Sequence, residues 1–406
     1  MNSRFLAETG PLVSFMKRTF AVLGSGMQGT AAAYDLAKFA EPQAVLLADS
    51  RLDIAQRSAD RVNSLTGSDV CRAVEVDALD AAALGQMLEP VDVLLSCVPY
   101  WMHARIAKVA IASGTSMCDL GGNTDITFEI LAMDDAAKAA GVTLIPDTGL
   151  APGLVNSIAM VFVEQMDEVE SIQLYCGVLP QHPKPPLNYM LTFNVEGLVG
   201  EYLHQAVALR DGEIAMLDTL DEVEEIWIEP FGKMEAFNTS GGTSTAPYTL
   251  KGKVRNYGYK TIRWPGHCEW MKMFRDFGFW DDAAVDVRGQ SVKPRDVFCK
   301  VFGDHLGQIR DLDQCIVRGI GTGKDAGRSV RMQVDIHDKQ CEETGFTSME
   351  RTTGFSMAIH AAAIADGSLP PGCLRYETAL AGSEFLRQIQ RRGVELKTSG
   401  LDVGHK

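Results

Sequence analysis

Ala21-Val22-Leu23-Gly24-Ser25-Gly26-Met27-Gln28-Gly29 decides how this chain folds. The run follows the charged pair Lys17-Arg18 and precedes an alanine-rich amphipathic stretch, so it reads as a strand, a GxGxxG turn and a helix. Gly24 permits the tight turn, Gly26 lets the main chain approach a pyrophosphate, and Gly29 lets the helix lie close to its strand. Ser25, Met27 and Gln28 complete the loop at the helix N-terminus, whose free N–H groups favour an anion. The next apolar run, Ala44 to Ala48, ends in Asp49, at the spacing where an acidic residue receives the adenosine ribose hydroxyls. A dinucleotide is the expected ligand. A glycine-rich surface turn, the bland alternative, leaves the strand and Asp49 unexplained.

The remaining composition narrows the class. With 406 residues, 46% hydrophobic and 22% charged, the chain has the make-up of a soluble globular protein of two or three domains. A net charge of -15 and a pI near 5.0 argue against nucleic acid or an anionic membrane surface as partner. Nine cysteines without any CxxC pair fit a reduced, cytoplasmic compartment rather than a disulfide framework or a structural zinc site. The histidines lack HExxH-like spacing, so no metal is expected. No apolar run approaches a membrane span, and no secretory leader pattern is present. Residues 1–15 read as a short N-terminal extension, and Met16 as an alternative start.

Residues 16–150 alternate strand and helix signals, the pattern of an α/β Rossmann domain with a doubly wound parallel sheet. Its later apolar runs end in Asp77, Ser96, Asp119 and Asp147. Ligands of such sheets bind at the carboxyl ends of the strands. Asp77 therefore joins the cofactor residues, and Ser96-Cys97-Val98-Pro99, Asp119 to Gly122 and Asp147 to Gly149 are expected around the nicotinamide ring. Cys97 reads as a small buried filler, since nothing nearby lowers its pKa. From Ala151 the texture changes. Pro152-Gly153 opens a helix, and Val169–Val178, Ile226–Glu229, Val254–Trp264, Cys315–Ile320 and Ser329–Ile336 read as strands. Residues 151–350 are thus a second α+β domain with a mixed, largely antiparallel sheet. Residues 351–406 hold C-terminal helices, Thr353–Asp366 and about Ser383–Arg392, separated by a rigid Gly367 to Gly372 stop and returning to the nucleotide domain.

Several strings in order resemble the lysine 6-dehydrogenases within the saccharopine dehydrogenase-like group. They are Asp119-Leu120-Gly121-Gly122, Pro146-Asp147-Thr148-Gly149-Leu150-Ala151-Pro152-Gly153, Pro185-Pro186-Leu187 with Val195-Glu196-Gly197-Leu198, Glu235-Ala236-Phe237 with Thr239 to Thr245, and Tyr259-Lys260-Thr261-Ile262-Arg263 with Gly266-His267. The resemblance covers nearly the whole chain beyond Met16. It implies a homo-oligomer and NAD-dependent oxidation at the ε-carbon of L-lysine, releasing ammonia and an aldehyde that cyclises to piperideine-6-carboxylate. One departure is Ser50-Arg51 after Asp49, where Arg51 offers a cation for a 2′-phosphate.

That chemistry sets requirements. The ε-amine must be neutral before hydride leaves, although free lysine holds its proton to a pKa of about 10.4. A base must take that proton, deliver water to the iminium and return a proton to the departing nitrogen. At the far end, an α-carboxylate asks for a planar cationic fork and an α-ammonium for an acidic partner. Asp147 is the leading acid/base residue, with turn capping as its bland role. Asp119 and His267 are further catalytic candidates, His267 equally readable as a satisfied histidine in a turn. Arg263 is the carboxylate clamp, unless it serves an interdomain salt bridge. Glu196 is placed on the ammonium, unless it lies on a solvent face. Thr239, Ser240, Gly241, Thr243 and Tyr259 are the remaining substrate residues, and Lys260 receives no role. Two alternatives stand beside lysine deamination: a saccharopine-type enzyme acting on a secondary amine, which needs a second carboxylate clamp, and a catalytically silent NAD-binding protein.

Overall fold

The computed structural model describes residues 18–401; the expected extension, residues 1–15, and Met16 lie outside the described residues. Strands and helices alternate as β1 (Thr19–Leu23), α1 (Met27–Phe39), β2 (Ala44–Asp49), α2 (Leu52–Thr66), β3 (Cys71–Glu75), α3 (Ala81–Leu88), β4 (Val93–Ser96), α4 (His103–Ala112), β5 (Ser116–Asp119), α5 (Thr124–Leu131), α6 (Asp134–Ala140) and β6 (Thr143–Ile145). The six strands pair in parallel in the order β3-β2-β1-β4-β5-β6. That is the doubly wound order, with its crevice where the order reverses beside β1. Both faces are covered. Val22 and Leu95 pack into one core, while Ala21, Leu23 and Leu94, one residue out of step, pack into another. Strands buried on both faces carry unbroken apolar runs, which is what makes them readable in the sequence.

The second layer follows α7 (Leu154–Gln165): β7 (Glu168–Pro180), α8 (Val195–Tyr202), β8 (Gln205–Arg210), β9 (Glu213–Asp218), β10 (Glu224–Ile228), β11 (Gly232–Phe237), α9 (Ala246–Leu250), β12 (Val254–Arg263), α10 (His267–Asp276), β13 (Val285–Val287), β14 (Gln290–Val292), α11 (Pro294–Leu306), β15 (Asp313–Asp325) and β16 (Arg328–Lys339). Its sheet is mixed, β12 running parallel to β7 and the other neighbours antiparallel. The fold class expected from the sequence is therefore the one observed.

The tail is α12 (Ser348–Ala365), β17 (Gly372–Cys373), α13 (Tyr376–Ala379), α14 (Gly382–Arg391) and β18 (Leu396–Ser399). α12 begins five residues before the expected Thr353 because Thr347 and Glu350 form a capping box, each satisfying a backbone N–H of the other. The Pro370-Pro371-Gly372 stop leads directly into β17, which adds to the first sheet beyond β6. β18 instead pairs with β16 in the second sheet, so the tail braces both layers. Arg392 closes on Asp35 of α1 at 2.6 Å, a buried pair 357 positions apart in sequence. Among the described residues no helix is long and apolar enough to cross a membrane, and no group of three or more acidic, histidine or cysteine side chains is placed to hold a metal.

Candidate active site

The turn after β1 has the geometry its glycines require. Gly24 takes φ +93°, and a Cβ at Gly29 would fall 2.0 Å from the Gly24 oxygen, so α1 rests directly on the turn. No atom lies within 4 Å of a Cβ built on Gly26, which leaves open space before a helix start that has no side-chain cap. Asp49, at the end of β2, accepts the Ser25 and Arg51 backbone N–H groups, each at 3.0 Å. The Arg51 guanidinium turns away to Asp53 at 3.0 Å. Open cradle, exposed helix start and fixed carboxylate together fit a nicotinamide dinucleotide, with pyrophosphate at Gly26 to Gln28 and ribose at Asp49. Met27 is exposed there, and Gln28 keeps a buried Oε1 without a hydrogen bond.

The remaining strand ends differ in what they offer. Asp77, expected to face the cofactor, is exposed and closes its own turn by accepting the Leu79 N–H at 2.9 Å. Ser96 is buried with its hydroxyl 3.0 Å from His103 Nδ1, leaving His103 Nε2 buried and unpaired. Burial, followed by the charge of Asp119, pushes the Cys97 thiol up to about 12, so it remains a neutral thiol. Val98 is half-buried, and Pro99 is exposed at the start of the turn into α4.

Asp119 and Asp147 leave the adjacent strands β5 and β6 and are each 2% exposed. One Asp119 oxygen accepts the Gly121 N–H at 2.8 Å and the Asp147 N–H at 3.2 Å, tying the two strand ends together. Asp147 adopts φ +68°, a left-handed conformation that aspartate tolerates better than most residues. Its Oδ1 accepts the Thr127 hydroxyl at 3.0 Å, while Oδ2 has no partner. Burial, reinforced by the Asp119 charge and opposed by the Ser244 and Thr127 hydroxyls, pushes this carboxyl up to about 8.

From the second domain, the Thr239–Thr245 loop and strand β12 face this edge. Period two puts Tyr257, Tyr259, Thr261 and Arg263 on one face of β12. Thr239 and Thr261 share a hydrogen bond of 2.7 Å, and Gly242 lies so close to Tyr259 that a Cβ there would fall 2.3 Å from its ring. Thr124, Thr239, Gly241, Thr243, Ser244 and Tyr259 help to line a small, narrow cavity of about 20 Å³, room for one water. Arg263, 3% exposed, lies over the Tyr189 ring. Its Nε donates to the Tyr202 hydroxyl at 3.1 Å, and Nη2 reaches Glu201 at 3.5 Å. Tyr202 donates onward to His267 Nε2 at 3.0 Å, and His267 Nδ1 donates to the Leu187 carbonyl at 3.4 Å. Burial and the Arg263 charge push His267 down to about 3, so the imidazole is neutral and accepts from the Tyr202 hydroxyl.

Two substrate candidates sit elsewhere than expected. Glu196 is exposed on the first turn of α8, while Glu201, further along, is the carboxylate that meets Arg263. Five residues turn a helix by about 140° beyond one revolution, so the two glutamates face different directions. Burial pushes the Glu201 carboxyl up and Arg263 pulls it back. Ser240 spends its hydroxyl on the Gly200 carbonyl at 3.0 Å, holding the last turn of α8. Lys260, on the opposite face of β12, binds the Glu222 carbonyl at 2.6 Å and Glu224 at 3.1 Å. Glu201, Tyr202, Tyr189 and Thr127, which stand beside the expected residues, were not singled out in the sequence, whereas Ser244 falls within the expected Thr239–Thr245 loop. Only Glu201 left a signal: it lies three residues after Leu198 and next to Tyr202, both on the buried face of α8.

Fold and site define a two-layer protein with a nicotinamide-dinucleotide-binding domain and a polar, carboxylate-bearing cleft at the carboxyl edge of its parallel sheet. The chain belongs to the saccharopine dehydrogenase-like family. Residues 20–145 match the saccharopine dehydrogenase NADP binding domain and residues 149–394 the saccharopine dehydrogenase C-terminal domain. Among its relatives is the saccharopine dehydrogenase [NADP(+), L-glutamate-forming] of Pyricularia oryzae, 24% identical over 68% of this chain and 63% of the relative. The Saccharomyces cerevisiae enzyme of the same name is 23% identical over 65% of this chain and 60% of its own length. The chain spans about three fifths of the length of these relatives. The apo structure of the yeast protein superimposes with a TM-score of 0.76 at 20% identity, covering 95% of this chain and 100% of that one. The Legionella pneumophila homospermidine synthase in complex with NAD superimposes with a TM-score of 0.61 at 13% identity, over 95% and 92%.

Proposed function

We propose that this protein is an amino-acid dehydrogenase of lysine metabolism that oxidatively deaminates the ε-amine of L-lysine with NAD. The observation that carries this reading is Asp147, a carboxyl at the sheet edge whose pKa burial pushes up to about 8, tied through its backbone to Asp119 and facing the Thr127 and Ser244 hydroxyls. An ordinary carboxylate taking a proton from an ammonium near 10.4 works against about 9 kcal/mol; at about 8 the gap falls to about 3 kcal/mol. Burial thus makes Asp147 basic enough for the first step. A nicotinamide dinucleotide held at Gly24 to Gly29 and Asp49 would supply the hydride acceptor.

Asp147 takes the ammonium proton, freeing the nitrogen lone pair that drives hydride from the ε-carbon. After releasing that proton to solvent, the carboxylate takes one from water as the oxygen bonds to the iminium carbon. It returns the proton to nitrogen and then takes the hydroxyl proton as ammonia leaves the aldehyde. Asp119 holds the Asp147 backbone in register. Arg263 receives the α-carboxylate and Glu201 the α-ammonium, while Tyr189, Tyr202 and neutral His267 fix the guanidinium plane.

NAD is favoured over NADP because Asp49 occupies the ribose position while Arg51 is engaged by Asp53. The names of the relatives favour a second reading, a saccharopine-type dehydrogenase acting on a secondary amine. That substrate carries more than one carboxylate to clamp. Arg263 supplies one such clamp, while Lys260, on the other face of its strand, is held by the Glu222 carbonyl and Glu224. NADH formation with L-lysine and NAD alone, compared with saccharopine and NAD or NADP, separates the two; turnover of saccharopine but not lysine removes the first reading.

A further inference from the structure

The loop that faces Asp147 is held in a demanding conformation. Gly241 takes φ +81°, and Ser244 takes φ +43°, a left-handed state that a serine keeps only where neighbours enforce it. One anchor is Asn156 of α7, which donates to the Thr243 carbonyl at 3.2 Å and is itself fixed by the Tyr257 hydroxyl at 2.9 Å. The other comes from the tail. Glu377, 2% exposed on α13, accepts the Thr245 hydroxyl on both oxygens at 3.0 Å and the Thr249 hydroxyl at 2.5 Å. Arg375 donates to Thr249 at 2.8 Å.

Topology explains why Glu377 is there. β17 runs parallel to β6, with Cys373 opposite Leu144. The two strands leave the same sheet edge side by side, one into Asp147 and the other into Arg375, Tyr376 and Glu377. A carboxylate on the helix that follows the edge strand of the nucleotide-binding sheet thereby grips the loop of the second domain at the residue after Ser244.

We propose that Glu377 is a positioning residue of the reaction centre, clamping the Thr239–Thr245 loop so that Ser244 stands against Asp147. The proposal rests on Asp147 being the reacting carboxyl. The charged and titratable groups facing Glu377 are Arg375, Asp147, Tyr257 and Tyr376. Burial raises the Glu377 carboxyl, and the two threonine hydroxyls and Arg375 oppose that rise. Its charge also adds to the pressure keeping Asp147 protonated.

The test uses the full chain with Glu377→Ala, Glu377→Gln and the double variant Thr245→Val/Thr249→Val, which removes the same contacts from the other side. Without substrate, hydrogen exchange over residues 239–250 should accelerate about tenfold in Glu377→Ala and in the double variant, while β7 and β15 keep their protection. In turnover, kcat/KM for lysine should fall about 10- to 100-fold with dinucleotide affinity unchanged, and Glu377→Gln should recover most of the loss. Native protection of residues 239–250 in both disruptive variants would overturn the proposal, as would loosening spread evenly over the second sheet. If the loop loosens as expected but the wild type does not oxidise lysine, the anchor stands and the lysine reading falls.

Discussion

Replacing Asp147 by asparagine isolates the energy stored in one buried carboxyl. In the unfolded chain this group ionises near 3.8, in the folded protein at about 8. Between these values the native state holds a proton that the unfolded state has lost, so stability falls by about 1.4 kcal/mol for each pH unit of rise. Summed over the window, the difference is on the order of 5 kcal/mol, or about 3 kcal/mol if water enters and softens the burial. The asparagine side chain keeps the shape and still accepts from Thr127, but it does not titrate. Urea unfolding followed by tryptophan fluorescence at stepped pH supplies both stabilities, and subtraction cancels every group the two proteins share. Near pH 4 the two should be about equally stable; by pH 9 the variant should be more stable by about 3 to 5 kcal/mol. In the wild type kcat/KM should climb about tenfold per unit up to pH 8 and then level, and the variant should lose about 100- to 10,000-fold. A stability difference that does not change with pH would refute the buried-base reasoning.

Arg263→Ala should cost on the order of 2 to 4 kcal/mol in kcat/KM for lysine, and Arg263→Lys should not restore it, because an ammonium cannot present the planar fork; equal dinucleotide affinity by fluorescence titration marks the loss as substrate-specific. Glu201→Gln should raise KM for lysine about tenfold or more, whereas Glu196→Gln on the exposed turn should stay within about 0.5 kcal/mol of wild type in both kinetics and stability. The wild type should show a higher kcat/KM with NAD than with NADP, since a carboxylate 4 Å from a phosphate charge costs roughly 4 kcal/mol before screening; Asp49→Ser should narrow or reverse that ratio.

The nucleotide domain was legible because its signals are local. Gly24, Gly26 and Gly29 sit at fixed offsets, and runs such as Leu94-Leu95-Ser96 break at a polar residue where the strand ends. The second domain was only partly legible. Strands β8 and β9 each hold only four apolar residues between polar ends, and β11 mixes glycine, lysine and glutamate among its apolar residues, so neither period nor length separates them from a short helix or a loop. β17 has two residues and is held in the first sheet by pairing with β6, a contact more than two hundred positions away in sequence. The site shows the same division. Asp147 and Arg263 end strands and stood out, whereas the choice between Glu196 and Glu201 depends on which face of α8 meets β12. Thr127, Ser244 and Glu377 acquire meaning only when three distant segments converge on Asp147.

Nitrogen accounting with labelled lysine decides the matter most directly. Incubated with NAD and no other carbon substrate, ε-15N-lysine should release labelled ammonia in step with NADH, and α-15N-lysine should retain its label in a six-membered cyclic imine. Label appearing in ammonia from the α position, or NADH that forms only after a 2-oxo acid or a secondary amine is supplied, would contradict ε-deamination by this protein.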